Sequence, residues 1–182
     1  RRGLAGLELP LVPPLGTVRP ESLDHVHRQA RLQVEGEDAG RMLRELVEPS
    51  RLRDGTLEPN RGLLSLPPPR PGDLFFDIEG DPYAFDDGIE YLFGVLEPNV
   101  LDADGNATFR AFWARDADGR VTLDAEKRAF EQLMDFFMER VAQDPAIHIY
   151  HYAPYEPTAL GRLMGRHGTR ETEVDRLLRG GL

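Results

Sequence analysis

Two carboxylates, Asp77 and Glu79, stand two residues apart in the stretch Asp73-Leu-Phe-Phe-Asp-Ile-Glu-Gly-Asp81-Pro82. The apolar run before them reads as a short strand. Strand side chains alternate between faces, so Asp77 and Glu79 point one way while Phe76 and Ile78 point the other. Neighbouring carboxylates repel each other. A fold keeps them most readily when a divalent cation neutralises both, and a hard, oxygen-liking ion such as Mg²⁺ or Mn²⁺ suits that role. The alternative is a solvated strand end. The apolar run, and the strand, helix and strand pattern that follows, favour the metal. Asp81, just before Pro82, reads as a turn former.

The bulk numbers bound what such a site can belong to. The chain has 182 residues with 40% hydrophobic content. That supports one sizeable core, or a small domain with a helical arm. No apolar run reaches the ~18 residues of a membrane span. The N-terminus has no apolar core of a signal peptide, and it lacks an initiating Met, as expected for a piece of a longer protein. Cysteine is absent, which excludes disulfides, thiolate metal sites and a Cys nucleophile and fits a reducing cytoplasm. The net charge of −10 is uneven: residues 1–70 hold 11 basic and 10 acidic residues, and residues 71–182 hold 11 basic and 22 acidic ones. The acidic half argues against nucleic-acid binding through bulk charge. It leaves room for a metal-dependent nuclease, whose acidic face reaches phosphates through cations.

Residues 1–20, with four prolines, read as extended or turning. Leu23, Val26, Ala30 and Val34 predict a helix over 21–34, with Arg28 and Arg31 on its solvated faces. Residues 35–48 are ambiguous between helix and loop. Pro49, Pro59, Pro67, Pro68, Pro69 and Pro71 mark a linker, with a possible short edge strand at Leu63–Leu66. Two domains are therefore expected: a helical and Pro-rich arm over 1–70, and an ordered domain over 71–182.

In that second domain the pattern predicts strands at 74–79, 90–97 and 107–113. Asp102-Ala-Asp-Gly-Asn106 is turn chemistry between the last two. Asp124 is the expected cap of a long helix with the stripe Phe130, Leu133, Met134, Phe137 and Val141. A fourth strand is expected at 147–152, a helix from Pro154 or Pro157, and a last helix over 170–179. Trp113 reads as core. Tyr150, Tyr152 and Tyr155 read as packing residues, with base stacking the alternative. His148 and His151, three apart on a strand, face opposite ways and do not converge on zinc. Three hairpin-linked strands followed by a crossover helix into a fourth strand make an α/β fold with a mixed sheet flanked by helices.

This order, with Asp-x-Glu on its first strand, resembles the ribonuclease H-like fold of the DEDD 3′–5′ exonucleases, and more closely the RNase H-like domain of bacterial RecB-like nucleases. The stretches that carry the resemblance are Gly72–Pro82, Glu90-Tyr-Leu-Phe-Gly94, and His148-Ile-Tyr-His-Tyr-Ala-Pro-Tyr-Glu-Pro-Thr-Ala-Leu160. His27-Arg-Gln-Ala-Arg-Leu-Gln33 is similar to the family's helical lead-in.

The resemblance implies that Asp77 and Glu79 supply two ligands for Mg²⁺ or Mn²⁺. Glu156 stands where the family's second motif has Asp, one methylene longer, and Tyr152 replaces its Asn; Glu156 is thereby implied as a third ligand and catalytic acid. The fourth acid, its neighbouring base and the last strand and helix of the fold are expected beyond Leu182. The implied activity is two-metal hydrolysis of nucleic-acid phosphodiesters, on DNA more than RNA. The implied partners are nucleic acid and the RecB-like nuclease and helicase domains of the same polypeptide. The alternative is a non-catalytic RNase H-like module that binds nucleic acid or a partner domain.

Overall fold

The computed structural model describes residues 2–6 and 19–180. The expectation for residues 1–20 falls mostly outside them. The chain divides into two compact units, Arg1–Pro67 and Pro68–Leu182.

In the first unit, α1 is the single turn Arg2–Ala5 and α2 runs over Pro20–Asp38, past the expected end at 34. Its buried stripe passes through His27 and Ala30, while Val26 is exposed. Arg31 pairs with Glu35 at 3.4 Å and Glu45 at 3.1 Å, so the helix face expected to be merely solvated is laced with ion pairs. Gly62–Ser65 is a turn of 3-10 helix, not the short strand expected at 63–66.

The second unit carries a four-stranded sheet in the order β3-β2-β1-β4. β1 is Leu74–Asp81, β2 Ile89–Leu101, β3 Ala107–Trp113 and β4 only Ile149–Tyr150. β1, β2 and β3 pair antiparallel, and β4 lies parallel to β1. The β2–β3 turn forms as its residues predict: the Asp102 carboxylate accepts the backbone N–H groups of Asp104 and Asn106. Asp116 does the same for Asp118 and Arg120 in a second Asp-Ala-Asp-Gly turn.

Helices α3 (Leu123–Gln143), α4 (Tyr155–His167) and α5 (Glu171–Gly180) supply the core's other half. The cap of α3 is Thr122, whose hydroxyl accepts the Ala125 N–H at 3.2 Å; Asp124, the expected cap, sits in the first turn. The α3 stripe of Phe130, Leu133, Met134 and Phe137 is fully buried against Leu74, Phe76, Phe93 and Val95. Phe76 meets Phe137 edge to face with ring centres 5.2 Å apart. Each such side chain contributes about 1.5–3 kcal/mol on burial. Val174 and Leu177 of α5 join the same cluster.

Asp73 ties the starts of β1 and β4 together. One carboxylate oxygen accepts the Arg70 N–H at 2.8 Å; the other accepts both the backbone N–H and the ring Nδ1–H of His148, at 2.8 and 2.9 Å. Burial pushes the Asp73 carboxyl up, but the hydrogen bonds from Arg70 and His148 and the nearby imidazole outweigh it, so the group sits below the ordinary carboxylate range. A depressed folded pKa means stability that is present above the unfolded value of about 3.9 and lost as pH falls through the folded one. Chemical unfolding between pH 6 and pH 2 should show this loss in the native chain and a flatter profile in Asp73→Asn. Matching profiles would mean the clamp contributes nothing.

Candidate functional site

Alternation along β1 separates two sets of residues. Leu74, Phe76 and Ile78 are buried among the helices, whereas Phe75, Asp77 and Glu79 are exposed on the other face. Register extends this face across the sheet. Asp77 pairs with Gly94, which pairs with Ala111; Glu79 pairs with Leu92, which pairs with Trp113. Gly94 leaves room beside Asp77 that the Phe109 ring covers: a Cβ there would lie 3.0 Å from that ring. Trp113, expected in the core, is 42% exposed because it belongs to this face, and the Arg115 guanidinium lies 4.1 Å from its ring centre.

Three buried acids of this unit have arginine partners. Glu97 pairs with Arg110 and Arg140, Glu90 with Arg162, and Glu126 with Arg166 and His167. Asp77 and Glu79 differ. Neither has a hydrogen bond or ion pair among the described residues. Two like-charged oxygen-donor groups, side by side and without a counter-charge, are the chemistry that a hard divalent cation fits.

Glu156 lies elsewhere. It sits in the first turn of α4, 4% exposed, lining a cavity with Phe76, Phe137, Ile149, His151 and Leu160. Phe76 is on the helix side of β1, opposite Asp77 and Glu79. One Glu156 oxygen has no hydrogen-bond partner and lies 3.4 Å from His151 Nδ1. That nitrogen donates to the Ala153 carbonyl at 2.6 Å. Among the described residues, no three His, Asp or Glu side chains gather as a metal-holding group. The structure thus brings Asp77 and Glu79 together and sets Glu156 apart from them.

Beside Glu79 the sequence hides a second set of polar residues. A bulge after Glu79 leaves Tyr91 unopposed and pairs Gly80 with Glu90. The extra residue turns Glu90 to the helix side, where it is 2% exposed. It accepts from the Tyr155 hydroxyl at 2.8 Å and from Arg162. Burial first, then the Glu90 hydrogen bond and charge, push the Tyr155 phenol up to about 12, so it remains a donor. Next to this pair, the fully buried Glu126 accepts the Glu90 backbone N–H at 2.6 Å, Arg166 at 3.0 Å and His167 Nε2–H at 2.8 Å. Arg166 also donates to the carbonyls of Asp87 and Gly88, at 2.6 and 3.1 Å. The β1–β2 connection is thereby fixed to α3 and α4 right after Glu79. Asp81 accepts the Tyr83 N–H at 2.8 Å within it, the turn role expected of it. A signal for Glu126 existed in the sequence: an acid on the same helical stripe as Ala129, Phe130 and Leu133.

An antiparallel three-stranded meander, a crossover helix and a parallel fourth strand define an RNase H-like α/β domain. Residues 74–178 match the RNase_H_2 family of the RNase H superfamily, more than half of the chain, and the chain belongs to that family. This places it among nucleases and nucleic-acid-binding modules whose hydrolytic members generally use divalent metals. No curated protein and no solved structure matches the chain. Among the described residues, no helix is long and apolar enough to cross a membrane.

Proposed function

We propose that residues 68–182 form a metal-dependent nuclease domain of 3′–5′ exonuclease type, part of a larger DNA-processing polypeptide with RecB-like nuclease and helicase domains. The Pro-rich stretch before it serves as a linker from the N-terminal arm. The observation that carries the reading is the pair Asp77 and Glu79: two exposed carboxylates on one strand face, with no counter-charge among the described residues, in a family of nucleic-acid enzymes.

Asp77 and Glu79 hold Mg²⁺ or Mn²⁺ in this reading. The chemistry such a cation supplies when bound is polarisation of a phosphoryl oxygen and activation of water for in-line attack. The two carboxylates fix the position of that charge relative to the sheet. The Glu126–Arg166 contacts keep the end of β1 in place, and Tyr155 stays protonated as a hydrogen-bond donor beside Glu90. Glu156, on the other side of β1, becomes a ligand only with movement of the α4 start.

Calorimetric titration with Mn²⁺ tests the pair. Asp77→Asn and Glu79→Gln should each weaken binding about tenfold, about 1.4 kcal/mol, without lowering stability, because removing one of two like charges relieves repulsion. Unchanged Mn²⁺ binding in the double variant would sink the assignment. Mn²⁺-dependent cleavage that persists without Asp77 would sink the catalytic role. Mn²⁺ binding without cleavage of any DNA or RNA would favour the non-catalytic module.

A further inference from the structure

We propose that the hydrogen bond from Tyr155 to Glu90 is a latch that withholds Glu156 from the metal pair Asp77 and Glu79. The inference rests on the metal reading of that pair and names a contact that regulates it.

Glu156 is poorly matched to its surroundings. It is 4% exposed, and one of its oxygens has no hydrogen-bond partner. Phe76, Phe137, Ile149 and Leu160 form apolar walls of the cavity it lines. His151 Nδ1 lies 3.4 Å away but already donates to the Ala153 carbonyl. A buried carboxylate without a good partner is costly. A contact beside it must therefore hold it in place.

The first turn of α4 offers few such contacts. Pro154 stands at the N-cap, and no side chain caps the helix. β4 stops at Tyr150, and Tyr152 is 99% exposed. Thr158 bonds within the turn, its hydroxyl donating to the Pro154 carbonyl at 2.8 Å. The far end of α4 is different. Arg166 and His167 are fixed to buried Glu126, and Leu163 lies in the core. That leaves Tyr155, the residue before Glu156. Its hydroxyl donates to Glu90 at 2.8 Å, and Glu90 is itself buried and paired with Arg162. A hydrogen bond to a charged acceptor is among the stronger ones a protein makes. The Tyr155 phenol, pushed up to about 12, keeps its proton at neutral pH, so the latch does not open by losing it.

With the far end anchored, releasing Tyr155 frees the first turn alone. The way out of the cavity runs around the edge of β1. Past Phe75 that edge has no strand partner among the described residues, and Asp77 lies two positions further along it.

Tyr155→Phe keeps the ring and removes the hydroxyl, so it isolates the latch. In metal-free protein, amide exchange at Ala159 and Leu160, which bond to carbonyls of the first turn, should quicken about tenfold. Exchange at Leu163 should stay native. Mn²⁺ should bind this variant about tenfold more tightly, because the competent state is no longer a minority. The gain should vanish in Tyr155→Phe/Glu156→Gln. Unchanged exchange at Ala159 and Leu160 would overturn the latch. So would a lower melting midpoint with equal quickening at all three amides, the mark of a merely structural Tyr155. Native Mn²⁺ affinity in Tyr155→Phe, or a gain that survives Glu156→Gln, would overturn the claim that Glu156 is what it withholds. Failure of the metal pair is read in another protein. Unchanged Mn²⁺ binding in Asp77→Asn/Glu79→Gln would remove the pair as the destination of Glu156, while the metal-free exchange still decides whether the latch exists.

Discussion

Replacing Glu126 by Ala should lower the unfolding free energy by roughly 3–5 kcal/mol, the cost of leaving a buried ionic partner uncompensated. Glu126 is fully buried and takes three donors from three places in the chain: the Glu90 backbone, Arg166 and His167. Its removal strands the Arg166 guanidinium, 16% exposed, and an N–H at the start of β2. Glu126→Gln keeps the shape and part of the hydrogen bonding, so its cost should be smaller, about 1–3 kcal/mol. Urea unfolding of both variants checks the order. A loss below 1 kcal/mol in Glu126→Ala would mean that Arg166 reaches solvent without penalty and that the β1–β2 connection is held by something else.

Gly80→Ala should cost roughly 2–3 kcal/mol, as overpacking of a closed site does. A Cβ at this position would lie 2.0 Å from a Glu90 carboxylate oxygen and 3.0 Å from the Ile89 carbonyl. A long side chain could swing away on a surface. Here Glu90 is buried and held by Tyr155 and Arg162, so relief breaks those contacts. The double variant Gly80→Ala/Glu90→Ala should then cost less than the two single changes together, because one clash is removed with its partner. Additive losses in thermal unfolding would locate the strain in the backbone at Ile89 instead. Mn²⁺ binding in Gly80→Ala reports whether the disturbance reaches Glu79, the residue next to it.

Period-two and helical patterns were enough to place β1, β2, β3 and the three helices of the second unit, since each has a long apolar set on one face. The face shared by Asp77 and Glu79 follows from the same alternation. What alternation cannot state is which face the helices cover. That is why Trp113 reads as core from its sequence neighbours yet stands exposed. β4 shrinks from six expected residues to two, although Ile147 is buried, because a strand's length depends on pairing with β1 and not on its own composition. Thr122 in place of Asp124 as the α3 cap is a shift of two positions among residues that all cap well. Glu156 illustrates a deeper gap. A motif position gave its place in the chain, but whether its side chain turns to the Asp77 face or to Phe76 is set by how α4 leaves β4. The partnership of Glu126 with Arg166 spans 40 residues and two helices, and nothing local to either residue announces it.

The division of β1 into a helix-facing set and an open set has an evolutionary consequence. Positions 75, 77 and 79 can change without disturbing the packing that folds the unit, so selection can retune what the open face binds one substitution at a time. Length is another matter. Deleting a single residue within β1 would exchange the two sets, driving Asp77 and Glu79 among the helices and Phe76 and Ile78 into water. A lineage carrying this strand is free to drift in side chain and is held rigidly in register.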